Sequence, residues 1–82
     1  MELTPEENAL IEIKLAVSRN LKARRQKLMT QVELAQKIQS SQPLIDRGEN
    51  GDASVSIELL IRRMLGTGAT LPEISKVIAE AG

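Results

Sequence analysis

Three times the chain sets a threonine three residues ahead of a glutamate just where an apolar helical run begins. The sites are Thr4-Pro5-Glu6-Glu7, Thr30-Gln31-Val32-Glu33 and Thr70-Leu71-Pro72-Glu73. The pattern is a capping box: the hydroxyl accepts an amide of the first turn and the glutamate reaches back to the cap. Proline at the first or second helical position fits the same start, because its missing N–H has no intrahelical partner there. Ser41 and Ser56 are further N-cap candidates, and Asn50-Gly51 and Gly66 read as stops. Behind the caps the apolar residues keep helical spacing, and no stretch alternates long enough for a strand. The sequence therefore predicts an all-α chain, a compact bundle of five or six helices folded as one domain over 1–82. The helices are expected at about 5–27, in a pair within about 31–49, at about 56–65 and at about 71–81. Helix propensity dips near Ser18–Asn20, so the first helix could run through or break there.

Composition removes most chemistries. Among 82 residues there is no His, no Cys and no aromatic residue. Thiolate and imidazole catalysis and ordinary zinc sites are thereby excluded, and so is stacking of unpaired bases on aromatic platforms. No pairing among the Ser, Thr, Lys and carboxylate side chains stands out, so no enzyme, metal site or cofactor is expected. Asp46, Asn50 and Gly51 hint at a calcium loop, but Gly48 and Ile57 fall where ligands are needed. The acidic amino end does not suit a signal peptide and no apolar run is long enough to span a membrane. Zero cysteine fits a reducing cytoplasm.

Eleven basic and eleven acidic residues give a formal net charge of zero, which hides segregation. Residues 1–13 sum to −4, residues 14–28 to +6, and residues 29–51 and 52–82 to −1 each. The basic block is Lys14, Arg19, Lys22, Arg24, Arg25 and Lys27, and local potential governs binding more than the total does.

The stretch TQVELAQKIQSSQPLIDRGENG, residues 30–51, carries the functional signal. A short helix, a turn of about three residues and a second short helix form a helix-turn-helix unit. Helices crossing steeply need a small residue at the contact, here Ala35, with Leu34, Ile38 and Ile45 meeting behind it. The second helix can then present Ser41, Gln42, Asp46 and Arg47 outward.

This stretch resembles the XRE-type helix-turn-helix regulators, the family of the phage Cro and repressor domains. The matching residues are Leu21–Arg24, Thr30-Gln31, Glu33-Leu34-Ala35, Ser41-Gln42, Ile45 and Glu49-Asn50-Gly51, with the run from Ser54 to Gly66 similar to a fourth helix. The resemblance implies a lambda-repressor-like bundle and a bacterial or phage-type cytoplasmic regulator. It also implies phosphate contacts from Gln31 and Asn50, and a structural salt bridge between Arg24 and Glu49. Three positions depart from the family pattern: Gln39 replaces the turn glycine, Ser40 the next apolar residue and Gly48 the apolar residue before Glu49. Gln39 is expected to need a positive φ, at about 1 kcal/mol, and Gly48 to loosen the end of the second helix. Leu44 stands where a polar residue is common.

Within that frame Gln42 suits adenine N6/N7 and Arg47 suits guanine O6/N7, with Ser41 and Asp46 as further base contacts. Arg25 and Lys27 are the expected phosphate neighbours from the basic block. The stripe Leu71, Ile74, Val77 and Ile78 serves either the core or a dimer contact, since a single core of this size benefits from a partner subunit. The expected function is sequence-specific binding of double-stranded DNA by a homodimer, with repression as the simplest mechanism. Two alternatives stand beside it: an antitoxin that binds a toxin and its operator, and a protein-interaction module that keeps the fold without binding DNA.

Overall fold

The computed structural model describes residues 3–81 and contains five α-helices and no strand among them. They are α1 (Pro5–Leu28), α2 (Gln31–Lys37), α3 (Gln42–Glu49), α4 (Ile57–Gly66) and α5 (Leu71–Ala79). Four begin on a side-chain cap. The hydroxyls of Thr4, Thr30, Ser56 and Thr70 accept the amides of Glu7, Glu33, Leu59 and Glu73 at 3.1–3.3 Å. The reciprocal half of the box forms at Glu33, whose carboxylate accepts the Thr30 amide. At Thr70 the hydroxyl instead donates to the Glu73 carboxylate at 3.0 Å. Ser41 stands at the N-cap of α3, but its side chain makes no capping bond.

α1 runs unbroken through Ser18–Asn20, the point where the dip in propensity left a break open. The propensity deficit there is a few tenths of a kcal/mol per residue. Burial of Val17 and Leu21 on either side, each 0% exposed, contributes more, on the order of 1.5–3 kcal/mol per side chain. α1 packs against α3, α4 and α5, and α2 packs on α3 and α4. The core joins Val17 and Leu21 of α1 to Leu34 and Ala35, Ile45, Val55, Leu60 and Met64, Ala69 and Ile74. Without aromatics it is filled by small and branched aliphatic side chains, so backbones approach closely. Gly66 illustrates this: it is the last residue of α4 and not a stop beyond it, and a Cβ there would lie 2.5 Å from Ile38 Cγ2. Leu10, Leu28 and Leu65, which share the apolar phase of their helices, stay outside the core at 46–56% exposure.

Ser18 is 2% exposed and its hydroxyl has no hydrogen-bond partner among the described residues. A buried unmade hydrogen bond costs roughly 1–3 kcal/mol, and alanine is the better helix former. Ser18→Ala is therefore expected to stabilise the chain by about 1–2 kcal/mol. Thermal unfolding reads this as a higher Tm; a lower Tm would mean the hydroxyl is bonded in solution.

Candidate nucleic-acid interface

α2 and α3 are joined by a turn over residues 38–41 in which Gln39 takes φ 55°, the only positive φ of a non-glycine among the described residues. The position expected from sequence to carry a left-handed residue does so, and the Ser40 amide closes the turn on Ala35 O at 2.8 Å. On α3 the buried residues are Ile45, Gly48 and Glu49. The opposite face presents Pro43, Asp46 and Arg47, all exposed, flanked by Gln42 and by Leu44 at 41% exposure.

A polar chain of contacts fixes α3 to α1 and α2. Arg25 grips Glu49 with two parallel bonds, Nε to Oε2 and Nη2 to Oε1, both 2.7 Å. The Glu49 side chain is 1% exposed and that of Arg25 11%. The bidentate geometry is the strong form of this pair, and the Glu49 hydrogen bonds hold the Arg25 guanidinium above its ordinary pKa. Gln31, at the start of α2, donates from Nε2 to Glu49 Oε1 at 3.2 Å and to Asp46 Oδ1 at 3.1 Å. Its own amide oxygen accepts from Gln42 Nε2. Asn50 Nδ2 donates to Asp46 Oδ2 at 3.3 Å. Gln31, Gln42, Asp46 and Asn50 thus share one network rather than standing apart. Lys27 lies beside them, lining an open groove with Gln31 and Gln42.

One expectation about the basic block is corrected. Glu49 pairs with Arg25, not Arg24. Successive helical residues point about 100° apart, and the phase of Arg25 faces α3, whereas Arg24 turns toward the end of α4 and the start of α5. There Arg24 donates to Thr67 Oγ1 at 3.0 Å and to Glu73 Oε2 at 2.7 Å. The Thr70 hydroxyl, and secondarily Arg24, hold the Glu73 carboxylate below the usual range. A depressed carboxylate contributes stability above its unfolded pKa and loses it as pH falls through the folded value, so the Arg24–Glu73 link opens only in acid. The α5 stripe also divides. Ile74 is 4% exposed and belongs to the core, Val77 and Ile78 are half-buried, and Leu71 is 69% exposed.

Gly48 explains a residue that the apolar pattern of α4 passes over. Arg63 is 3% exposed, and its Nη1 donates to Leu44 O at 3.0 Å. A Cβ on Gly48 would overlap Arg63 Nη1 and crowd Leu60 Cδ2 at 3.2 Å. The glycine makes room for a guanidinium beneath α3, where the expectation was a loosened helix end. Burial pushes the Arg63 pKa below its ordinary value, partly offset by the nearby Glu49 carboxylate. The signal in the sequence was the coincidence of a missing apolar side chain at 48 with an arginine in phase with Leu60 and Met64.

A helix-turn-helix family model matches residues 21–62, just over half of the chain, including all of α2 and α3. The chain belongs to the XRE-type helix-turn-helix family. Its all-helical fold fits the phage-repressor-like bundle of that family, and the family places it among DNA-binding transcription regulators. No curated protein and no solved structure matches the chain. No helix among the described residues is long and apolar enough to cross a membrane. In this family member the turn glycine is replaced by a strained Gln39, and the apolar residue before Glu49 by the Gly48–Arg63 pair.

Proposed function

We propose that the chain is a sequence-specific repressor that lays α3 in the major groove of duplex DNA as one half of a homodimer. The observation that carries this reading is the bond between Gln42 and Gln31. It uses one N–H of the Gln42 amide and leaves the second N–H and the carbonyl oxygen, the donor and acceptor that adenine N6/N7 requires. Arg47, exposed one turn further along α3, forks onto guanine O6/N7, while Ser41 and Asp46 flank them. The Ser41 hydroxyl, unused as a cap, is available to a base edge. Gln31 through its backbone amide at the start of α2, its side-chain N–H groups being taken by Glu49 and Asp46, together with Asn50 and Lys27, meets phosphate and sets the register, which carries no sequence information by itself. Binding over a promoter then blocks transcription.

Arg47→Ala is expected to lose about 1–3 kcal/mol of discrimination at one base position. Lys27→Ala is expected to weaken all sequences alike and to reduce the salt slope by about one. Titrations of both variants against matched and scrambled duplexes test the assignment. Equal losses on both duplexes for both variants would overturn the division into base and phosphate contacts.

A further inference from the structure

The exposed face of α3 is apolar at its middle. Successive residues of a helix stand about 100° apart, and Ile45, Gly48 and Glu49 make the buried arc of α3. Pro43 points opposite the centre of that arc. Around the outer side the order is Gln42, Asp46, Pro43, Arg47 and Leu44, all of them exposed. Pro43 also stands between Gln42 and Arg47 along the helix axis. Leu44, 41% exposed, belongs neither to the core nor to the side chains packed against it.

Both residues are held in place before any ligand arrives. The Pro43 ring has no rotamer freedom to lose, and Arg63 Nη1 fixes the main chain at Leu44 by binding its carbonyl from beneath. Arg47 follows Pro43 by four residues and Leu44 by three, so the aliphatic stem of its side chain lies between them in phase. Together they give α3 a preformed hydrocarbon surface, with the Gln42 amide and the Arg47 guanidinium beside it.

The major-groove edges of the bases decide what such a surface can recognise. Proline has no N–H, and the leucine side chain has no polar atom. Neither can satisfy guanine O6/N7, adenine N6/N7 or the cytosine amino group, and a polar edge pressed against them gives up water without gaining a partner. Thymine alone among the four bases presents an apolar group there, its C5-methyl. We infer that Pro43 and Leu44 read the thymine methyl at a base pair between those met by Gln42 and Arg47. The reading rests on α3 lying in the groove, as the proposed function has it, and adds to that function the residues that select a methyl-bearing pyrimidine.

Uracil pairs as thymine does and lacks only the methyl. In a duplex enriched by the full chain from random DNA, each thymine is replaced singly by uracil and binding is followed by fluorescence anisotropy. One position in each half-site is expected to lose about fourfold in affinity, the effect of one buried methyl group, and the other thymines are expected to change little. At that position 5-methylcytosine should outbind cytosine by a similar factor, which separates the methyl from the rest of the thymine edge. The Pro43→Ser, Leu44→Ser double variant, its helix content checked by circular dichroism, should no longer distinguish thymine from uracil there. It should keep its preferences at the base pairs met by Gln42 and Arg47. An enriched duplex in which every thymine tolerates uracil, or a double variant that discriminates as the wild type does, overturns the methyl reading alone. A chain that enriches no duplex overturns the DNA reading itself.

Discussion

Glu49→Ala is expected to destabilise the chain by about 3–5 kcal/mol, because it leaves the Arg25 guanidinium without its counter-charge in a nearly enclosed site. Stability of this size approaches the whole folding free energy of a small domain, roughly 0.05–0.15 kcal/mol per residue. The loss extends past the ion pair. Glu49 Oε1 also accepts from Gln31, which in turn receives Gln42, so the start of α3 loses its tether. Urea unfolding is the check. Arg24→Ala serves as comparison, because its partner Glu73 is half-exposed and an exposed pair contributes at most about 1 kcal/mol. Similar losses for Glu49→Ala and Arg24→Ala would contradict the pairing.

The second large effect is expected where the family pattern is restored. Gly48→Leu supplies the apolar side chain that relatives carry before the glutamate, yet it should destabilise by about 3 kcal/mol or more. The new Cβ overlaps Arg63 Nη1, and overpacking alone costs roughly 1–3 kcal/mol. Displacing the guanidinium from Leu44 O adds the cost of a buried cation without a partner. Arg63→Leu alone should also destabilise, by leaving the Leu44 carbonyl unpaired and a gap beside Gly48. Gly48→Leu with Arg63→Leu should recover most of the loss, as contacting residues couple by up to about 3 kcal/mol. Additive losses in the double-mutant cycle would show that the two residues do not share one space.

Much of this organisation was legible in the sequence because it is local. A capping box needs only four consecutive residues, and Thr30–Glu33 forms in full. The positive φ at Gln39 was legible through the family resemblance, which places a turn glycine at that position. Coupling between distant segments was hidden. Arg24 and Arg25 are neighbours in sequence, but one helical step of about 100° sends them to different partners. Only the relative placement of α1 and α3 decides which of them meets Glu49. The Gly48–Arg63 pair spans two helices, and neither residue alone announces the other. At the interface, residue types suggested separate base and phosphate contacts. The structure ties Gln31, Gln42, Asp46 and Asn50 into one network, so exchanging any one of them disturbs the others.

The zero net charge acquires a physical meaning as well. Three of the six residues in the basic block are occupied within the chain: Arg24, Arg25, and Lys14, which donates to Asp52 O at 2.9 Å. Few free cations remain beside α3, so non-specific affinity should be modest and specificity should rest on the base edges.

Selection of binding sites from random duplex DNA, carried out at a low and a moderate salt concentration, tests that account most directly. Enrichment of an inverted repeat with half-sites centred about 10 bp apart is the predicted result, persisting at the higher salt. A pool that stays random at both salt concentrations would contradict it.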